Sequence, residues 1–167
     1  MRHQIRLVFA LLALISMWNV KELVWHSLSE QERSEAQIET KASIAGMTTE
    51  EFALMSAIVE AESDRNPDHV EGKKLIALTI LNRVESDQFP NTITGVISES
   101  GQFQVYYEGT YRSIGRTEES DEAVIEASFW AKKEHPNVIY FNSIGFNGLG
   151  QAYEYVEGNY FETLEET

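Results

Sequence analysis

Cysteine is missing from the 167-residue chain, which excludes disulfides, cysteine-based zinc sites and thiol nucleophiles. Basic residues are also few: 13 lysines and arginines stand against 27 aspartates and glutamates, giving a formal net charge of −14. The basic residues form no stripe, and a surface that repels phosphate cannot gain the counterion release that drives most nucleic-acid binding. We therefore expect no nucleic-acid partner. A neutral or amphoteric polymer fits the charge better.

Several motifs of cofactor and metal chemistry are absent as well. The chain has no Gly-x-Ser-x-Gly sequence and no phosphate-binding loop, and its histidines lack metal-type spacing. Asp64-x-Asn66-x-Asp68 resembles the start of a calcium loop. However, His69 replaces the glycine that such a loop needs, and Leu75 replaces its last glutamate. We therefore expect neither a metal nor a cofactor.

A long apolar run occurs at the amino terminus. Arg2, His3 and Arg6 precede the apolar residues 7–18, a pattern typical of an export signal. These roughly 12 residues are fewer than the roughly 20 needed to span a bilayer. Residues 1–26 are predicted to be a signal peptide or a membrane anchor, with a buried amphipathic helix as the alternative. The protein is thus expected to be exported, and to be extracellular, associated with the cell wall or anchored in the membrane.

The rest of the chain divides into a polar segment and a folded domain. Residues 27–46 carry many charges and few apolar anchors, so we interpret them as a linker that is partly helical. The domain is expected over residues 47–167. It opens with Thr48-Thr49-Glu50-Glu51, which fits a capping box with Thr48 as the N-cap.

The domain is predicted to have an α+β fold that is predominantly α-helical, with a small β element toward the carboxyl terminus. Gly72 lies inside a predicted helix, where glycine is unfavourable. We therefore expect another helix to cross closely at this position. The first helix is expected to end at about residue 63, and further helices are expected over about residues 67–84, 92–97 and 117–133. Residues 105–107 are expected to be extended. A strand is expected over residues 138–142, and a hairpin around Gly158-Asn159.

Glu62 stands out because it shares a helix face with Phe52, Met55 and Val59. A carboxylate on an apolar face is rare unless it is paired or functional. Burial and the negative end of the helix dipole should both raise its pKa. A carboxylic acid that keeps its proton near neutral pH is what the cleavage of a glycosidic bond requires.

A structural role for Glu62 is the alternative, as a member of a buried salt bridge with Arg65 or Arg83. Glu60 points away from the apolar face, so we expect it to be solvated or to lie at the edge of a groove.

A series of motifs in the domain resembles the SleB-type cell wall hydrolase family, known from spore-cortex-lytic enzymes. The resemblance extends in order from about Leu54 to Phe161. The motifs are Ala61-Glu62-Ser63, Glu71-Gly72, Ile80-Leu81-Asn82-Arg83-Val84, Phe89-Pro90-Asn91-Thr92-Ile93, Gly95-Val96-Ile97, Gly101-Gln102-Phe103, Tyr140-Phe141-Asn142 and Gly158-Asn159-Tyr160-Phe161.

This resemblance implies a lysozyme-like domain of lytic-transglycosylase type that cleaves the bond between N-acetylmuramic acid and N-acetylglucosamine in peptidoglycan. The family's catalytic glutamate matches Glu62, which acts first as acid and then as base while the sugar's 6-hydroxyl closes an anhydro ring. No second carboxylate is then needed, unlike in ordinary glycosidases. The residues expected to bind the glycan are Gln102, Phe103, Tyr140, Asn142 and Asn159.

Three alternatives remain open: hydrolysis by water, a catalytically weak or inactive wall-binding module, and a structural anchor without affinity for sugar. The chain departs from the family pattern at Glu60, where tyrosine is usual, and at Tyr160, where histidine is usual. Asp64-Arg65-Asn66 also stands where Arg-Gly-Glu is usual, in a loop about two residues longer. Five tyrosines could line a sugar groove or simply pack: Tyr106, Tyr107, Tyr111, Tyr153 and Tyr155.

Overall fold

The computed structural model describes residues 20, 22, 24–130 and 137–164. The chain forms two compact units, residues 1–37 and residues 38–167. Most of the predicted export segment lies outside the described residues. Within the described part of the chain, no helix combines the length and the apolar character needed to cross a membrane.

The described elements are mainly helices, followed by three strands. They are α1 Glu30–Ala45, α2 Thr49–Glu62, α3 Val70–Glu85, α4 Ile93–Ile97, α5 Gln104–Tyr107, α6 Tyr111–Ile114, α7 Glu118–Trp130, β1 Val138–Asn142, β2 Gln151–Val156 and β3 Asn159–Thr163. The predicted α+β class, with helices dominant and the β element toward the carboxyl end, is confirmed. The strand over residues 138–142 and the terminal hairpin are also found.

The last turns of α1 belong to the second unit, although their polar composition predicts a linker. Ala42 and Ala45 are buried in the hydrophobic core. Lys41 holds this end of α1 against α7, because its Nζ lies 2.6 Å from Glu118 Oε2 and 2.8 Å from Asp121 Oδ2. The compact unit therefore starts at Ile38.

Helix α2 begins at the predicted capping box. The Thr48 hydroxyl accepts a hydrogen bond from the Glu51 backbone N–H at 3.2 Å, and Glu51 Oε2 accepts one from the Thr48 N–H at 3.2 Å. The helix ends at Glu62, with Ser63 as its C-cap. Both ends agree with the sequence prediction, because local side chains determine them.

Glu60 is not the solvated or groove-edge residue expected, and that prediction is wrong. The residue is only 4% exposed. Its Oε2 lies 2.9 Å from Lys73 Nζ on α3 and accepts a hydrogen bond of 2.7 Å from the Thr117 hydroxyl. Residues 56–60 of α2 are all buried, so the helix has no solvated face there and its periodicity cannot tell inside from outside.

Gly72 also has a different explanation from the predicted helix crossing. A Cβ at this position would lie 3.0 Å from Glu157 Oε2 and 3.1 Å from Glu157 Cβ, in the turn between β2 and β3. The Gly72 N–H donates a hydrogen bond of 2.7 Å to that carboxylate. Glu157 therefore caps the first turn of α3 from the hairpin, since His69 makes no side-chain cap.

The small sheet is attached to α3 through an edge strand. The strand order is β1-β3-β2, with both pairs antiparallel. Asn82 Nδ2 donates to the Val138 carbonyl at 2.7 Å and Arg83 Nε to the Ile139 carbonyl at 2.8 Å. The buried carbonyls of β1 thus receive their hydrogen bonds from a helix instead of another strand.

One other prediction differs from the structure in type, and one is not tested. Residues 105–107 were expected to be extended, but they lie in the one-turn helix α5. Their β-branched and aromatic composition favours strands only weakly, and a single turn leaves no periodic signal. Helix α7 is described as far as Trp130, so its predicted end at residue 133 lies outside the described residues.

The buried ion pair between Glu60 and Lys73 yields a stability prediction. Lys73→Met should lower the free energy of unfolding by about 3–5 kcal/mol, because it leaves a buried carboxylate without its cation. The double variant Glu60→Gln/Lys73→Met removes both charges and should lose clearly less. Urea unfolding of the wild type and the two variants measures this, and equal losses for both would contradict it.

Candidate active site

A cavity of about 450 Å³ opens where α2 ends. Its walls come from the end of α2, the 101–104 segment with α5, the end of β1 and the start of β3. The lining residues are Glu62, Gly101, Gln102, Gln104, Tyr107, Phe141, Asn142, Ser143 and Asn159. A volume of this size lies within the range of about 300–1,000 Å³ that is usual for small-molecule sites.

Glu62 is the acidic side chain in this wall, and its surroundings disfavour its charged form. Burial raises the pKa of Glu62 from the ordinary 4.5 to about 7, while a hydrogen bond from the Val105 backbone acts in the opposite direction. The residue also occupies the last position of α2, where the partial negative charge of the helix end opposes ionisation. Much of the Glu62 population is therefore protonated near neutral pH.

The alternative salt bridge with Arg65 or Arg83 is not formed. Among the ion pairs of the described residues, none involves Glu62. Arg65 is exposed in the loop after α2. The Arg83 guanidinium donates to the Ile139 carbonyl and lies over the rings of Phe89 and Phe103, at 5.0 and 5.6 Å from their centroids.

Three predicted binding residues lie with Glu62 around the cavity: Gln102, Asn142 and Asn159. The Asn142 side-chain oxygen accepts hydrogen bonds of 2.9 Å from the backbone N–H groups of Ile144 and Gly145. This leaves its amide nitrogen as the group that can donate to a ligand. The cavity thus combines one carboxyl group of raised pKa with neutral hydrogen-bonding amides.

Two other predicted binding residues do not reach the cavity. Phe103 is fully buried, and its ring lies 6.1 Å from that of Phe141, so it supports the cavity wall from behind. Tyr140 packs against Phe89, with ring centroids 6.2 Å apart, and is absent from the cavity lining. Both belong to motifs around lining residues, which is why sequence reasoning grouped them with the site.

Sequence reasoning gave Gln104 and Ser143 no role in the site. Both are polar residues in short segments, where no periodicity indicates which way a side chain points. Of the five tyrosines considered, Tyr107 lines the cavity and its hydroxyl donates to the Ser98 carbonyl. Tyr106 and Tyr111 stack on each other instead, with centroids 5.6 Å apart.

A buried carboxylate fixes the glycine-rich loop beside the cavity, residues 143–150. Glu162 is 1% exposed and accepts backbone hydrogen bonds from Asn147 at 2.5 Å, Gly148 at 3.1 Å and Gly150 at 3.0 Å. A Cβ on Gly150 would lie 2.2 Å from the Thr163 carbonyl oxygen, so the loop needs glycine there. The loop begins with Ser143 of the cavity and is therefore held in one place.

The residues around the cavity do not form a metal site. Across residues 24–130 and 137–164, no group of three His, Asp or Glu side chains could hold a metal ion. In the segment that resembles a calcium loop, Asp64 accepts from the Asn66 N–H at 3.0 Å and also contacts His69. The Asn66 side chain accepts from the Asp68 N–H at 3.1 Å.

Residues 67–147 match the model of the cell wall hydrolase family. The match begins after Glu62 and so assigns no role to that residue. The resemblance to the SleB-type family is confirmed by the individual relatives. The spore cortex-lytic enzyme of Bacillus subtilis is 34% identical over 98 residues, which are 58% of this chain and 31% of that enzyme. The chain thus spans about a third of this curated relative.

Two solved structures share the fold. The catalytic domain of the Bacillus cereus SleB protein matches with a TM-score of 0.56 and 26% identity, over 68% of this chain and 89% of that one. The catalytic domain of the germination-specific lytic transglycosylase SleB from Bacillus anthracis matches with a TM-score of 0.58 and 25% identity, over 71% and 98%. The lysozyme-like fold predicted from the sequence is confirmed.

The raised pKa of Glu62 predicts a pH-dependent difference in stability. The Glu62 carboxyl group binds its proton more tightly in the folded protein than in the unfolded chain. It therefore does not destabilise the fold below about pH 4.5, and it lowers the free energy of unfolding progressively as the pH rises to about 7. Relative to the wild type, Glu62→Gln should gain up to about 3 kcal/mol in unfolding free energy across this interval.

Urea unfolding of both proteins between pH 4.5 and pH 8 measures this difference. The pH dependence of the difference is the observable, because a constant offset reflects only the change of side chain. Glu50→Gln is the matched control, since Glu50 is exposed on the first turn of the same helix. Parallel curves for wild type and Glu62→Gln would contradict the raised pKa.

Proposed function

We propose that the protein is an exported enzyme that cleaves the glycan strands of peptidoglycan, with Glu62 as its acid catalyst. The observation that carries this proposal is a carboxyl group of raised pKa in the wall of an open cavity, with no cationic partner among the described residues. The cell wall hydrolase family match and the similarity to a spore cortex-lytic enzyme support the substrate class. Residues 1–26 are proposed to direct export or to anchor the protein in the membrane.

In the proposed reaction, the Glu62 carboxylic acid protonates the oxygen that links N-acetylmuramic acid to N-acetylglucosamine. The bond between that oxygen and C1 of the muramic acid breaks. The resulting carboxylate then takes the proton from the muramic acid's 6-hydroxyl, whose oxygen bonds to C1 and closes an anhydro ring. Glu62 ends the cycle protonated, so one carboxyl group supplies both the acid and the base.

The composition of the cavity wall supports the single-carboxyl mechanism. Of the described residues around the cavity, Glu62 is the one aspartate or glutamate. Ordinary glycosidases instead place a second carboxylate about 5–9.5 Å from the first, as a nucleophile or as a base for water. The amides of Gln102, Asn142 and Asn159 suit the N-acetyl and hydroxyl groups of the substrate, because amides of Gln and Asn carry both donors and an acceptor and the Asn142 nitrogen can donate.

Glu62→Gln should lower the rate of peptidoglycan digestion by about 100- to 10,000-fold, because a glutamine cannot transfer a proton. Its pull-down on purified sacculi should persist, because the shape of the cavity is kept. Zymography and turbidity clearing on purified peptidoglycan measure the activity, with Glu50→Gln as the control that digests normally. A Glu62→Gln variant as active as the wild type would refute the role of Glu62.

The products distinguish the transglycosylase reaction from hydrolysis. Mass spectrometry of digested wall should find anhydro-muramic ends, because the 6-hydroxyl attacks C1 in place of water. Reducing ends would mean that water attacks instead, and the enzyme would then be a simple hydrolase. Sacculus binding by wild type without any digestion would favour a wall-binding module.

A further inference from the structure

A cluster of three aromatic rings lies beside the cavity on the sheet. Tyr160 on β3 is its centre, with the Tyr155 ring at 4.6 Å and the Phe146 ring at 5.1 Å between centroids. The Phe146 ring meets Tyr160 edge-on at 78°. Tyr155 is 56% exposed and Phe146 48% exposed, so the cluster presents ring surface to solvent.

The sheet register joins this cluster to the cavity. Tyr160 pairs with Asn142 on β1 and with Tyr155 on β2. Directly paired residues of antiparallel strands point to the same face of a sheet. Tyr160 and Tyr155 therefore lie on the same face of the sheet as the side chain of Asn142, which lines the cavity.

The backbone on both sides of Phe146 is fixed, which makes the cluster a preformed surface. Before Phe146, the Asn142 side chain accepts hydrogen bonds from Ile144 and Gly145. After it, Glu162 accepts hydrogen bonds from Asn147 and Gly148. Binding to a surface that is already ordered costs little conformational entropy.

We propose that Phe146, Tyr155 and Tyr160 form a saccharide subsite that stacks against a sugar ring of the same glycan strand, outside the cavity. This inference rests on the proposed function, because the subsite would hold another sugar of the strand whose bond is cleaved at Glu62. The electron-rich ring faces suit the C–H faces of a sugar, and the two tyrosine hydroxyls can hydrogen bond to its hydroxyl groups. The chain's net charge of −14 also disfavours an anionic membrane as the partner of this surface.

Binding of glycans of defined length tests the subsite. The full chain with Glu62→Gln serves as the parent, because it should bind without turnover. Its ligands are peptide-free glycan strands from purified peptidoglycan, as a disaccharide and as a chain of eight sugars, measured by titration calorimetry. Tyr155→Ala in this parent should weaken binding of the long chain about five- to tenfold and leave the disaccharide unchanged.

Two further variants separate the stacking from general damage. Tyr155→Phe keeps the ring and should restore most of the affinity for the long chain. Tyr153→Ala removes another exposed tyrosine of β2, whose hydroxyl interacts electrostatically with the carboxylate of Glu71 on α3. This variant should change the affinity for neither glycan. Unchanged long-chain binding by Tyr155→Ala, or an equal loss for both ligands, would overturn the subsite.

The failure of the subsite and of the proposed function can be told apart. A parent that binds neither glycan overturns both the proposed function and the subsite. A parent that binds the long chain with the same affinity as Tyr155→Ala overturns the subsite alone. Loss of binding to lipid vesicles by Tyr155→Ala, with glycan affinity intact, would show a lipid-facing surface and would likewise overturn it.

Discussion

The enclosure of helix α2 on nearly all sides is the constraint on which the site depends. Its last turns carry two glutamates that cannot both be solvated, and the surroundings of these two side chains differ. Glu60 receives Lys73 and Thr117 as partners inside the protein. Glu62 has no cationic partner among the described residues and faces the cavity, and burial raises its pKa to about 7. Two residues of one type thus acquire different chemistry through their surroundings alone.

The hairpin and the glycine-rich loop beside the cavity are each held in place by a carboxylate. Glu157 attaches the hairpin turn to the first turn of α3, and Glu162 holds three backbone N–H groups of the loop. Asn82 and Arg83 attach β1 to the other end of α3. Helix α3 is therefore the common support of the sheet residues that face Glu62, which explains why so small a sheet can hold a defined cavity wall.

Local signals in the sequence predicted the ends of α2, the hairpin and the unusual position of Glu62. The motif order predicted the family, and with it Gln102, Asn142 and Asn159 in the cavity. Glu60 and Gly72 were misread because their partners, Lys73 and Glu157, are fixed by tertiary packing, and Glu157 lies 85 residues away from Gly72. Phe103 and Tyr140 were misplaced because a motif predicts which residues lie near the site but not which way each side chain points.

The central claim is that the Glu62 carboxyl group holds its proton near neutral pH. Carbon-13 NMR of side-chain carboxyl groups follows this titration directly, and the Glu62 signal is assigned by its absence from Glu62→Gln. The account predicts a midpoint near pH 7, well above the ordinary 4.5. A midpoint at or below 4.5 would mean that Glu62 is a solvated or paired carboxylate, and would contradict its role as an acid.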